Sequence, residues 1–386
     1  MTKTTISTKE TIIKRREIIL RMNKKNSNEI FNLKEFQKEI KDSLYKTSKN
    51  NKDESLQAPK YSTGIFPLDK LLNGGFPQGR IIGLGAEWGV GKTTMLIQAC
   101  GNIIEKHNKN VYYIDVEGGA TYELFESMGY ANLLYHPELN PNGKLYLLNL
   151  DTIQEIAKIV KKVTRDDDTA IIVIDSDTQV VDGDLLAEDD LGASNKAIGN
   201  DARMWSRVAK SFIAVVKHSN ACLIVVHQAR ERLTGFVSRI EATGGNAIRH
   251  MVSVEIWGKQ VGWIMPNRKV SKASKDKARS IGALVKLTTN KNRFTTPFAT
   301  VDIPIFFGKG VSVKWFYKEW LENHKFTDQV TGVAIPFIRR KGTWIEFNLS
   351  SSLSRRFQGE ENLWKAIDEY YEEIKEFVNT QGGLDT

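Results

Sequence analysis

The stretch that most constrains this chain reads Ile81-Ile-Gly-Leu-Gly-Ala-Glu-Trp-Gly-Val-Gly-Lys-Thr-Thr94. A short apolar strand runs into a Gly-rich turn, then Gly-Lys-Thr, then a helix-forming run from Met95 to Ile104. That is the strand–loop–helix setting of a phosphate-binding loop, comprising Ala86, Glu87, Trp88, Gly89, Val90, Gly91, Lys92, Thr93 and Thr94. Glycines let backbone N–H groups converge on phosphates, and the helix amino end adds its positive dipole. Lys92 is expected to reach the β- and γ-phosphates of ATP, and the Thr93 hydroxyl to bind Mg²⁺. The pattern usually begins with Gly and here begins with Ala86, which is acceptable where the local φ is negative. Trp88 fits either packing or a contact to nucleotide or neighbour.

Other features set the bounds. At 386 residues the chain suits one large domain with small flanking pieces, or two medium ones. No apolar run approaches the ~20 residues a membrane-spanning helix needs, and the amino end lacks a signal-peptide core. Cys100 and Cys222 sit in apolar contexts and read as buried, reduced thiols of a cytoplasmic protein. The net charge of +9 is unevenly spread. Residues 1–60 hold 15 Lys/Arg against 8 Asp/Glu, and residues 259–293 hold 10 against one Asp. Basic zones on a mildly acidic body suit a polyanionic partner, or a solvated surface.

Residues 7–22 predict an amphipathic helix, with Ser7 and Glu10 at capping-box spacing and Ile12, Ile19 and Leu20 on one face. Such a helix docks on a neighbouring subunit or on its own domain. Residues 46–60 are polar and linker-like. Strand candidates follow at 80–85, 111–115, 144–150, 169–175, 222–227, 252–257, 283–289 and 298–307. Helical stretches lie near 93–107, 152–164 and 201–218. The alternation predicts an α/β fold, a mostly parallel sheet flanked by helices, with an antiparallel extension where the later strands follow without helices. A smaller α/β piece is expected after residue 312, ending in a helix near 360–378. The expected division is 1–60 for a helix and linker used in oligomerisation, 61–312 for the core, and 313–386 for a small carboxy-terminal domain.

Three strand ends carry chemistry. Thr169 to Asp175 is a buried run ending in a carboxylate, and ligands of open α/β sheets sit at such ends; Asp175 is placed to hold Mg²⁺ through its water shell. Val111 to Glu117 ends in acids, of which Glu117 suits polarising the attacking water. Cys222 to Gln228 ends in an amide able to bond the γ-phosphate and sense its loss. The Gly- and Arg-rich loop from Ala229 to Asn246 follows. Arg230, Arg232 and Arg239 suit phosphates, Phe236 suits wedging or stacking on bases, and Gly244 and Gly245 allow close backbone approach to a strand. An ordinary surface loop is the alternative.

These stretches together resemble the RecA-type homologous recombinases. The matching residues are Ser62–Asp69, Gly74–Arg80, the phosphate loop, Asp115–Glu117, Ile174–Ser176, Ala202–Met204, His227–Arg230, Thr243–Ala247 and Asn290–Phe294. The divergence elsewhere resembles bacteriophage-encoded members. The resemblance implies a RecA-like ATPase core and gives Glu117 the role of catalytic glutamate and Gln228 that of γ-phosphate sensor. It implies that Lys291 and Arg293 enter the neighbour's ATP site, where cations stabilise the transferring phosphoryl group. Residues 183–203 and 229–246 match two DNA loops, with Arg203, Lys210, Arg230, Phe236, Gly244, Gly245 and Asn246 at DNA-contact positions. The first loop departs strongly from bacterial forms, and Leu124 stands where bacterial relatives stack a tyrosine on adenine. The basic stretch 267–279 reads as a hairpin tip that either binds a second, duplex DNA or only adds solubility.

The implied activity is a DNA-dependent ATPase that forms helical filaments on single-stranded DNA and exchanges strands with homologous duplex DNA. Single-strand-binding or mediator proteins are further partners, and no membrane is involved. A hexameric replicative helicase and a recombination accessory paralogue are the alternatives on the same core. The Lys291/Arg293 pair and the Thr243–Ala247 element argue against the helicase, and the intact Lys92, Thr93, Glu117 and Asp175 against a non-hydrolysing paralogue.

Overall fold

The computed structural model describes residues 59–87, 89–183, 200–234, 237–242, 245–328, 331–350 and 353–380. The expected helix at 7–22, most of the linker at 46–60, and Trp88 lie outside the described residues.

The chain enters through a closed motif. β1 (Lys60–Tyr61) pairs antiparallel with β2 (Phe76–Pro77), with helix α1 (Phe66–Leu71) between them in the chain. Asp69 closes this motif by accepting from Ser62 Oγ at 2.8 Å, Thr63 N at 2.8 Å and Thr63 Oγ1 at 2.7 Å. Lys60 Nζ donates to Leu72 O at 3.3 Å and also to Asn73 O. It thereby places a cation at the carboxyl end of α1, where helix carbonyls lack partners.

The main sheet contains β3 (Arg80–Ala86), β4 (Asn110–Asp115), β5 (Leu145–Leu148), β6 (Thr169–Asp175), β7 (Cys222–Thr234), β8 (Val237–Ala242), β9 (Val254–Ile264), β10 (Val270–Ser271), β11 (Gly282–Asn292), β12 (Thr300–Phe306) and β13 (Gly310–Val311). Its order is β13-β12-β11-β9-β3-β7-β6-β4-β5, with β8 paired to β7 and β10 to β9. From β9 to β5 the pairing is parallel, and from β9 outward to β13 it is antiparallel. The parallel strands are apolar on both faces because both are covered. Ile171 and Val173 pack with Met95, Leu96 and Ala99 of helix α2 (Lys92–His107). Helix α3 (Tyr122–Ser127) follows β4. On the opposite face Ile172 and Ile174 pack with Ile156 and Val160 of α4 (Ile153–Val163) and with Trp205 and Phe212 of α5 (Asn200–Val216). Thr152 and Glu155 close a capping box at the start of α4.

Two expectations need correcting. Much of the stretch 229–246 is regular. β7 continues to Thr234 and pairs antiparallel with β8, and helix α6 (Gly245–Met251) follows. Leu233, Thr234, Val237 and Ile240 favour extended pairing, a preference masked by the Gly and Arg content. The single helix near 360–378 is two, described below.

After β13 come α7 (Val313–Asn323), a ribbon of β14 (Lys325–Thr327) and β15 (Ala334–Pro336), and an antiparallel sheet of β16 (Ile338–Lys341), β17 (Trp344–Asn348) and β18 (Ser354–Gln358). Helices α8 (Glu360–Glu369) and α9 (Tyr371–Thr380) end the described chain. They meet at Tyr370, whose ring packs beside Phe347 and under the Arg355 guanidinium, which turns the chain there. Leu321, Phe337, Phe347, Leu363, Ile367, Ile374 and Val378 form a separate core. α7 serves both cores, giving Phe316 to the main one and Leu321 to the small one.

Removing Asp69 leaves Thr63 N buried without its partner. We expect Asp69→Ala to destabilise the fold by about 3 kcal/mol, with Asp69→Asn costing less, read from urea unfolding midpoints.

Candidate functional site

β3 delivers the phosphate loop from the middle of the sheet. Ala86 ends this strand opposite Gly258 of β9, where a Cβ would stand 3.0 Å from the Ala86 methyl. Ala86 keeps strand geometry: among the described residues, positive φ outside glycine is confined to Asn73, Asn108, Arg268 and Phe298. The departure from Gly at this position is therefore accommodated by a neighbouring Gly. Gly91, at φ 85°, caps the amino end of α2 in the left-handed region, with Ile305 close on the side a Cβ would occupy. Lys92, Thr93 and Thr94 form the first turn of α2, where backbone N–H groups have no helical acceptor. Lys92 Nζ folds back onto the loop, donating to Ala86 O and Glu87 O at 3.2 Å each. Burial lowers its pKa, and the nearby Asp175 and Glu117 carboxylates oppose that shift.

Asp175 lies at the carboxyl end of β6 and is buried. Its Oδ2 accepts from Thr93 Oγ1 at 2.8 Å and from Tyr113 OH at 2.6 Å. Burial pushes its pKa up, while the Tyr113 and Thr93 bonds pull it down. Burial, followed by the Asp175 charge, drives the Tyr113 phenol well above its ordinary range. A hydroxyl and a carboxylate in contact at the foot of a phosphate loop are hard oxygen donors. They fit Mg²⁺, which takes one or two protein oxygens and keeps water. Sequence reading missed Tyr113. Its signal was a hydroxyl-bearing ring in β4 beside Val173, two residues back along β6 from Asp175.

β4 ends at Asp115, whose carboxylate shapes the next turn by accepting from Gly118 N at 3.0 Å, Gly119 N at 3.2 Å and Ala120 N at 2.8 Å. Glu117 rides on that turn, exposed, with its N–H on Asp175 O at 3.3 Å. Its Oε1 accepts from Gln228 Nε2 at 2.8 Å and from Ser176 Oγ. Gln228 is beside Ala86 in the parallel ladder. Beneath it the buried His227 places Nδ1 2.9 Å from Asp177 Oδ2. Lys92, Thr93, Asp175, Glu117 and Gln228 are thus gathered at one edge of the sheet, with Ala86 and Glu87 under the lysine.

Lys291 and Arg293 do not join them. Lys291 pairs with Glu255, which is level with Gly83, three residues back along β3 and about 10 Å from Ala86 at the usual strand rise. Its Nζ donates to Arg249 O at 2.8 Å, and Arg293 N donates to Ser253 O at 3.2 Å. Burial and the Arg293 charge lower the Lys291 pKa. Arg203 and Lys210 are exposed on α5. Arg230 and Arg232 lie on β7, Arg239 on β8, and Gly245 and Asn246 open α6. Phe236, Gly244 and the side chains of those arginines and Asn246 lie outside the described residues.

Both bonds to Asp175 fall on one oxygen, so an amide oxygen can replace it without the buried charge. The folded chain binds the Asp175 proton more tightly than the unfolded chain does. Its contribution to stability therefore falls as pH rises from the ordinary aspartate range through the raised value, then levels off. We expect Asp175→Asn to stabilise the nucleotide-free protein by about 1 kcal/mol at neutral pH, with the gain vanishing in acid, while Mg²⁺-dependent ATP turnover is lost. Thermal unfolding across pH and a turnover assay check this.

The model of the RecA N-terminal domain family matches residues 31–312. Protein RecA of Nostoc sp. is 28% identical over 323 residues, 82% of this chain and 79% of that protein. Protein RecA of Rickettsia prowazekii is 28% identical over 312 residues, 80% of each. A crystal structure of the RadB recombinase superposes with a TM-score of 0.44 at 20% identity, covering 65% of this chain and 98% of that one. With the family model spanning most of its length, this chain belongs to the RecA N-terminal domain family.

Proposed function

We propose that this chain is an ATP-dependent recombinase that assembles as a helical filament on single-stranded DNA and exchanges strands with homologous duplex DNA. The observation that carries the reading is the Gln228–Glu117 hydrogen bond, which ties the nucleotide site to the root of the β7–β8 ribbon. In this reading Lys92 and the first-turn N–H groups of α2 hold the phosphates. Thr93 and Asp175 hold Mg²⁺, which when bound neutralises charge on the β- and γ-phosphates. Glu117 orients the attacking water, and Gln228 exchanges Glu117 for the γ-phosphate, passing the nucleotide state to the ribbon.

Lys291 and Arg293, remote from their own phosphate loop, serve the site of the next subunit. That is a head-to-tail contact, which generates a filament when the rotation does not close. Residues 61–312 form the ATPase core in this reading, 313–386 a carboxy-terminal domain, and 1–60 an oligomerisation arm. The exposed Arg203 and Lys210 and the ribbon arginines grip the DNA backbone, so binding is largely independent of sequence and weakens steeply with salt.

Three measurements test this. ATP turnover is expected to rise on adding single-stranded DNA and to be abolished by Lys92→Ala; an unstimulated rate excludes the reading. Electron microscopy with DNA and a non-hydrolysable ATP analogue is expected to show helical filaments, and rings in their place would favour a helicase. Lys92→Ala and Lys291→Ala are each expected to be inactive alone. An equal mixture should recover about a quarter of wild-type turnover, since that share of head-to-tail contacts joins an intact loop to an intact lysine.

A further inference from the structure

We propose that Thr178 and Ser176 form a hydroxyl relay that positions Glu117 and ties its orientation to the chain leaving β6 toward α5. The inference rests on the ATPase reading above and adds a second input to the same carboxylate.

The direction of the relay follows from proton count. A serine hydroxyl has one proton to give and lone pairs to accept with, and a carboxylate only accepts. Ser176 Oγ donates to Glu117 Oε1, so its proton is used there. Thr178 Oγ1, 2.8 Å from Ser176 Oγ, must therefore be the donor to it. The order is Thr178 to Ser176 to Glu117, met from the other side by Gln228 on the same oxygen. Among the described residues no donor reaches Glu117 Oε2, the oxygen left for the water.

The backbone beneath the relay is pinned. Asp177 N donates to Val226 O at 2.9 Å, and the Asp177 carboxylate is bonded to His227. Four residues on, Val181 is held against the start of α4: its N–H reaches Asp151 O at 3.0 Å and its carbonyl accepts from Ile153 N at 3.0 Å. Gly183 N bonds Gln154 Oε1 at 3.0 Å, and Arg207 of α5 stands 3.5 Å from the Asp182 carboxylate. Thr178 thus bridges a fixed point beside Glu117 and a clamped segment that leads out to α5. A displacement of that segment can reach Glu117 by turning Thr178, as a displacement of the ribbon can by turning Gln228. Ser176 and Thr178 are positioning residues, since they act through Glu117 and not on substrate.

The test uses the full chain, with ATP turnover measured with and without single-stranded DNA. Ser176→Ala is expected to lower the DNA-stimulated kcat about tenfold with KM for ATP within twofold, and Ser176→Thr to restore most of it. Thr178→Val is expected to lower the ratio of stimulated to unstimulated rate by a similar factor, and Thr178→Ser to restore it. The proposal is overturned if Ser176→Thr is as slow as Ser176→Ala, if KM rises in step with the fall in kcat, or if Thr178→Val keeps the wild-type ratio. Should Ser176→Ala not fold, the Ser176→Thr and Thr178 variants decide alone. A wild-type chain that DNA does not stimulate overturns the ATPase reading together with the relay. A stimulated wild type with unaffected variants overturns the relay only.

Discussion

The candidate site depends on a carboxylate that the sheet has drawn out of water. Asp175 ends a strand in which every residue is buried, and desolvation disfavours its charge. A hydrogen bond to a charged group contributes about 1.5–3 kcal/mol, whereas burying the ion costs several. The bonds from Thr93 and Tyr113 therefore roughly offset the burial without turning it into net stability. What they provide is position. Thr93 belongs to α2, Tyr113 to β4 and Asp175 to β6, so one oxygen fixes the first turn of the phosphate-loop helix against two strands of the sheet.

Glu117 has the opposite environment. It is exposed, and bonds between exposed polar groups contribute little once water competes for them. Its turn is rigid because Asp115 accepts three successive backbone N–H groups beneath it, but among the described residues its side chain is held only by Gln228 and Ser176. A fixed buried carboxylate beside a weakly tethered exposed one is a workable division of labour. In the proposed reading the first would hold a cation in one place, and the second would be released and re-aimed by groups on neighbouring strands.

Much of this was legible in the sequence because parallel strands buried on both faces leave continuous apolar runs, and their ends are where acids and amides stand out. Ile171 to Asp175 and Leu223 to Gln228 are such runs, and the phosphate loop has its own signature. Three kinds of feature were not legible. Ala86 could be judged only against Gly258, which lies far along the chain and is brought beside it by sheet register. Tyr113 read as one more large strand residue, since the oxygen it bonds belongs to a strand 62 positions away in sequence. The β7–β8 ribbon was obscured because its arginines, and the glycines within and just after it, read as a loop, while Leu233, Val237 and Ile240 favour extended pairing. In the first two cases the deciding partner is distant in sequence, and in the third a local strand preference was masked by its neighbours.

The basic zone at 259–293 shows how folding redistributes a charge count. Arg268, at the tip of the β9–β10 hairpin, lies over the Trp364 ring at 4.6 Å and bonds Asp368 of α8 at 3.2 Å. Asp368 also takes Lys314 at 2.7 Å. Lys277 sits 5.8 Å from the Trp263 ring. A guanidinium on an aromatic face with a carboxylate beside it is a packing element, and here it joins the main sheet's hairpin to the small carboxy-terminal core. Lys269, Lys272, Lys275 and Arg279 remain exposed along the same stretch. Lys277 is exposed as well, so five cations between the strands face solvent while Arg268 is taken up in packing. A polyanion approaching here meets that cluster, while Arg268 holds the surface behind it in place.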